Sequence, residues 1–209
     1  MAEAGDLVEE VSKKYQITDL QQSIESGNPE LAIEIIQSAT VPNLNFILFK
    51  TKETCLHLAA RQGMLEVCLK LMLAGANREM RDINGNTALL TALDFKNFDI
   101  AATMLNQAFS IDVNVQNNSE QTALHKAVTY CQEVLVKKLI MFGASTQLKN
   151  NEGQIPRDCL KQTGSFLTTD ADTQTRSRIK TILEIAESLT KKTQGIVSVT
   201  DRETLLEKW

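Results

Sequence analysis

The stretch TCLHLAARQG, residues 54–63, has two imperfect copies further along the chain: TALLTALDFK at 87–96 and TALHKAVTYC at 122–131. Their threonines, Thr54, Thr87 and Thr122, are 33 and 35 residues apart. The register continues beyond the tetrads. Thirteen positions after each threonine stands Val67, Ile100 or Leu135, and twenty-one after stands Gly75, Ala108 or Gly143. Self-similarity at such a period marks a stacked array of short supersecondary units.

Each unit reads the same way. DINGN, 82–86, is a tight turn in which Gly85 can take positive φ. Thr87 then opens a short helix, and its hydroxyl is placed to cap the first turn. A break follows near Gly63 in the first unit and near Lys96-Asn97 in the second. A second helix comes next, LEVCLKLMLAG or FDIAATMLNQA, with apolar residues at helical spacing. AGA (74–76) and FGA (142–144) predict glycine C-caps. Two helices this short cannot hide their apolar faces alone, so each pair must stack on the next.

The pattern Thr54-Cys55-Leu56-His57-Leu58-Ala59-Ala60-Arg61-Gln62-Gly63 resembles the ankyrin repeat. The implied fold is an all-α solenoid of stacked helix-turn-helix units joined by β-hairpin-like turns. The chain divides accordingly into an acidic N-terminal segment, 1–17, and a degenerate capping repeat with a long connection, 18–50. Repeats follow at 51–81, 82–116 and 117–149, and a last unit begins at 150–160 with Pro156 at the family's proline position. A polar loop, 161–175, then leads to a C-terminal capping helix and tail, 176–209, with a capping box from Thr200 to Glu203.

Composition narrows the function. The net charge of −4 is made of −6 over residues 1–49 and +1 over each of 50–160 and 161–209. None of these blocks is basic enough for a phosphate footprint, so no nucleic-acid partner is expected. No apolar run approaches the roughly 20 residues of a membrane helix, and no membrane partner is expected either. The first sixteen residues lack an apolar core of the signal-peptide kind. Four cysteines without a CxxC pair then read as reduced thiols of a cytoplasmic or nuclear monomer.

His57 and His125, the two histidines, both close a tetrad. In the family this histidine bonds near the turn, linking adjacent repeats. Two units apart, the pair is separated by roughly 20 Å, at about 10 Å per helix layer, too far to share a metal. Cys55 and Cys68 lie in packed positions, while Cys131 is expected to be partly exposed and oxidisable. Glu9-Glu10 reads as a solvated face. No catalytic residue, cofactor site or metal site is predicted, and the chain reads as a non-enzymatic binding module.

The resemblance places the binding face on the turn tips and the exposed side of each first helix. By register these positions are Lys50, Thr51, Glu53, Arg61, Gln62 and Arg81 in the first clear repeat. In the second they are Ile83, Asn84, Asn86, Asp94 and Phe95. In the third they are Asn118, Ser119, Gln121, Thr129, Tyr130 and Lys149, and the last turn adds Asn151 and Glu152. Phe95 and Tyr130 share one register position, so the two rings are expected side by side as aromatic anchors for a protein partner.

Residues 35–120 carry a narrower likeness. The run Thr40-Val41-Pro42-Asn43-Leu44-Asn45-Phe46-Ile47-Leu48 before Thr54-Cys55-Leu56-His57 is similar to inhibitor-of-κB proteins. So is Asn84-Gly85-Asn86-Thr87-Ala88-Leu89 followed by KNFDI, 96–100. This likeness implies a stoichiometric binder of Rel/NF-κB dimers that blocks nuclear import or DNA binding. With Ser12 the one serine in residues 1–20, it would be a form that signal-induced phosphorylation does not remove. The competing classes are a generic or host-targeting adaptor and a substrate-recruiting subunit that docks through Ile179–Leu189 and Leu205–Trp209.

Overall fold

A computed structural model describes residues 17–38, 44–48, 50–161 and 170–192. The acidic segment up to residue 16, with Ser12 and Glu9-Glu10, lies outside the described residues. So do Thr40–Asn43 of the long connection and the tail from 193, with Thr200, Glu203 and Leu205–Trp209. Among the described residues the fold is all-helical, and the chain divides into two compact units, Met1–Met104 and Leu105–Trp209.

The first unit holds three helical pairs: α1 (Ile17–Glu25) with α2 (Pro29–Gln37), α3 (Cys55–Gln62) with α4 (Leu65–Leu73), and α5 (Ala88–Asp94) with α6 (Phe98–Met104). The first helices stack α1 on α3 on α5, and the second helices stack α2 on α4 on α6. Leu20, Ile24, Ile35, Leu56, Leu58, Leu71, Leu90, Leu93 and Met104 are fully buried between these layers. Helices of seven to nine residues are too short to persist alone. Burial of these side chains, worth about 1.5–3 kcal/mol each, holds them.

In the second unit α7 (Ala123–Thr129) pairs with α8 (Glu133–Met141). A 3₁₀ helix, Pro156–Lys161, takes the place of the next first helix and packs on α7. The unit closes with α9 (Asp170–Lys192), which packs on α8 and on the 3₁₀ helix. Two readings change here. The polar stretch expected as loop to residue 175 is helical from Asp170; Thr173 and Gln174 are exposed, so its polarity belongs to a solvent-facing helix flank. The Ile179–Leu189 helix, expected to offer a second docking surface, has Ile179, Ile182, Leu183 and Ala186 buried. Glu187 and Arg157, 3.1 Å apart, tie α9 to the 3₁₀ helix.

The predicted caps take two forms. Gly75 and Gly143 end α4 and α8 with φ of 90° and 88°. At the break between paired helices, the left-handed residue is Gly63 (φ 79°), Lys96 (φ 59°) or Cys131 (φ 53°), always nine positions after the repeat threonine. Lys96 and Cys131 thus take a conformation that disfavours a side chain. Thr87 differs from expectation: its backbone has cap geometry, but its hydroxyl makes no cap bond. Where the other repeats have a histidine to complete the box, this one has Leu90.

Candidate functional site

The turns that carry the predicted face share one design. Asp82 Oδ1 accepts the backbone N–H groups of Asn84 (2.8 Å) and Asn86 (2.7 Å). Asn117 Oδ1 does the same for Ser119 and Gln121, and Asn150 Oδ1 for Glu152 and Gln154. A residue of positive φ, Gly85, Glu120 or Gly153, completes each turn. Successive turns are linked by backbone bonds, Ile83 N–H to Thr51 O (2.8 Å) and Asn151 N–H to Ser119 O (3.2 Å). An aspartate or asparagine five positions before the repeat register was visible in the sequence, but its role as the turn's acceptor was not read there.

The histidines fasten these turns to the helices. Thr54 N–H donates to His57 Nδ1 at 3.2 Å, so Nδ1 is an acceptor and the proton sits on Nε2. Nε2 then donates to Asn86 O, 29 residues on, at 3.0 Å. His125 repeats the arrangement with Thr122 and Gln154 O at 3.1 Å. Burial holds both imidazoles below their ordinary pKa, against the opposing pull of the carbonyl bond. Each ring is thus a neutral structural clamp inside its own unit. Among the described residues no group of three or more His, Cys, Asp and Glu side chains is arranged to hold a metal ion.

In the first unit the turn tips and first helices enclose a groove of about 180 Å³. Thr51 and Glu53 come from the turn before α3, Arg61 from the end of α3, and Asp82, Ile83, Asn84 and Asn86 from the next turn. Thr91, Asp94 and Phe95 come from α5 and its C-cap. Two equivalent bonds brace the walls: Arg61 pairs with Glu53 at 3.0 Å, and Asn86 Nδ2 donates to Asp94 Oδ2 at 3.1 Å. Both join the residue before a repeat threonine to the residue seven after it. Ile83 and Phe95 are 54% and 53% exposed.

Thr51, Glu53, Arg61, Ile83, Asn84, Asn86, Asp94 and Phe95 of the predicted face therefore meet in one groove, while Lys50, Gln62 and Arg81 are exposed outside its lining. In the second unit Asn118, Ser119, Lys149, Asn151 and Glu152 are exposed, and Gln121, Thr129 and Tyr130 are half-buried. Thr129 bonds back to His125 O at 2.9 Å. Phe95 belongs to the first unit and Tyr130 to the second. Sequence reasoning missed Thr91, whose signal was a polar residue at the register position that Leu58 fills in the preceding repeat.

Residues 20–117 match the family described as "Ankyrin repeats (3 copies)". The chain carries ankyrin repeats. Similar ankyrin-bearing stretches occur in dog inversin, 31% identical over 106 residues, which is 51% of this chain and 10% of inversin. Human ankyrin repeat and SOCS box protein 16 is 28% identical over 168 residues, 77% of this chain and 35% of that protein. The mouse B-cell lymphoma 3 protein homolog is 28% identical over 141 residues, 66% of this chain and 31% of the relative. The chain thus spans about a third or less of these relatives. Ankyrin repeats are protein-interaction modules whose stacked units present an extended recognition surface.

The remaining candidates sit within the ankyrin scaffold. Burial pushes the thiols of Cys55 and Cys68 up to about 12, and that of Cys159 upward as well, so all three are poor nucleophiles at neutral pH. Cys131 is half-buried at the left-handed break. No helix among the described residues is long and apolar enough to cross a membrane.

Proposed function

We propose that the chain is a non-enzymatic inhibitor that grips a protein partner at the first-unit groove, and that the partner is a Rel/NF-κB dimer whose nuclear import or DNA binding it blocks. The observation that carries the binding reading is the exposure of Ile83 and Phe95 beside walls that are otherwise polar. Apolar anchors ringed by polar groups are the usual make-up of an interface centre. The Rel reading draws on the likeness of residues 35–120 to inhibitor-of-κB proteins, and the match to the mouse B-cell lymphoma 3 protein homolog points the same way. Such an inhibitor would act in the cytoplasm and could follow its partner into the nucleus.

Fluorescence anisotropy with labelled κB-site DNA tests this. The purified chain should displace DNA from a Rel dimer stoichiometrically, and Phe95→Ala should abolish displacement. Unchanged DNA binding at saturating chain, with no complex by gel filtration, would end the Rel assignment.

The match to the human SOCS box protein over 77% of this chain favours a second reading, a substrate-recruiting subunit or adaptor with an unrelated partner. That reading requires the same groove to be needed for a protein other than a Rel dimer.

A further inference from the structure

We propose that the groove receives one lysine side chain of the partner, its methylenes lying between Ile83 and Phe95 and its ammonium group held by Asp94 and Thr91. This rests on the reading of the groove as the partner-contact face. Charge points to a cation. The lining holds three carboxylates, Glu53, Asp82 and Asp94, against one guanidinium, Arg61, which Glu53 already matches at 3.0 Å.

Thr91 supplies the independent observation. It is 3% exposed, it lines the groove, and its Oγ1 has no hydrogen-bond partner. The equivalent residue of the preceding repeat, Leu58, is apolar and fully buried. Packing in this scaffold therefore asks for no hydroxyl at the position, and an unsatisfied buried one is unfavourable until something bonds to it. Threonine in a helix divides between two χ1 rotamers, so a small rotation presents Oγ1 to the groove. There it accepts from an ammonium donor.

The apolar edges fit the stem of the same side chain. Lysine combines a hydrocarbon stem with a charged end, which is the division the groove offers between Ile83 and Phe95 on one side and the carboxylates on the other. Arginine fits less well. Asp94 Oδ2 accepts from Asn86, Asp82 Oδ1 accepts two backbone N–H groups, and both oxygens of Glu53 face Arg61. No carboxylate of the lining keeps both oxygens open for a guanidinium fork, whereas a compact ammonium needs one.

The test uses peptides selected from a random phage-displayed library on the full chain, then titrated by fluorescence anisotropy. The expected binders lose affinity on Ile83→Ala or Phe95→Ala and share a lysine. Replacing that lysine by norleucine or acetyl-lysine should weaken binding to the unaltered protein by roughly tenfold or more. Asp94→Asn should cost the lysine peptide about the same factor and the norleucine peptide little. Thr91→Val should cost the lysine peptide less, with melting curves confirming that both variants fold. Equal affinity of lysine and norleucine peptides, with Phe95→Ala still abolishing binding, would overturn the lysine receptor and leave the groove's partner role standing. Binders indifferent to Phe95→Ala and Ile83→Ala, or no binders at all, would overturn both.

Discussion

His57 Nε2 reaches the carbonyl of Asn86 at 3.0 Å, while Nδ1 of the same ring receives the N–H of Thr54 at 3.2 Å. One imidazole thus joins the start of α3 to the turn that begins the next repeat. Both of its bonds are buried, so its removal leaves a donor and an acceptor without partners. His57→Ala should lower stability by about 2–4 kcal/mol, read as a shift in the urea midpoint at unchanged m-value. A variant as stable as the parent but unable to bind its partner would contradict the clamp.

The same clamps predict an acid sensitivity. Both imidazoles are held below the ordinary value of 6.5 in the folded chain, chiefly by burial. Below that pH the unfolded chain takes up protons that the folded chain refuses, so stability falls as pH falls. The loss begins as pH drops through 6.5 and levels off once the folded-state pKa has been passed. Melting temperature measured across this window should decline, and a His57→Gln, His125→Gln double variant should show a flatter profile. An identical slope in the double variant would assign the acid sensitivity elsewhere.

Lys96 and Cys131 hold the left-handed conformation that Gly63 holds in the first clear repeat. Lys96→Gly and Cys131→Gly should each stabilise the chain by about 0.5–1 kcal/mol, because a Cβ is unfavourable at positive φ. Gly63→Ala should do the opposite, by about 1–2 kcal/mol. Its new Cβ would also stand 3.3 Å from Asn97 Oδ1, the side chain whose Nδ2 bonds the carbonyls of Ala60 and Arg61. Chemical denaturation of the three variants checks the signs.

Phe95 and Tyr130 share a register position but not an environment. Phe95 is 53% exposed, whereas Tyr130 is half-buried. Phe95→Ala should weaken partner binding by roughly 1–3 kcal/mol and leave the melting temperature nearly unchanged. Tyr130→Ala should lower the melting temperature as well, by an amount that calorimetry would detect. A Phe95→Ala protein that binds its partner at full strength would remove the groove from consideration.

The repeat architecture could be read in advance because the residues that set it are those with backbone duties. Thr54, Thr122, His57 and His125 recur at fixed spacing since each repeat poses the same capping problem, and Gly75 and Gly143 recur because a helix must end there in a left-handed turn. Ile83, Asn84, Asn86, Asp94 and Phe95 followed from that register. Thr91 stayed hidden because a threonine within an apolar helix resembles many packed threonines; only its unsatisfied hydroxyl, a three-dimensional fact, sets it apart. Lys96 and Cys131 concealed their handedness because neither residue type advertises positive φ. The start of α9 was missed since polar residues on an exposed helix flank look like a loop.

The turns that Asp82, Asn117 and Asn150 close have a bearing on how this protein acquires specificity. The hydrogen bonds of each turn use the side chain of its first residue and backbone N–H groups from the following four. Side chains at the crest, Ile83 and Asn84, Asn118 and Ser119, Asn151 and Glu152, are not what shapes those loops. Exchanging them rewrites the message without reshaping the page on which it is printed, so selection, or a designer, can redirect the molecule toward another target through crest substitutions alone.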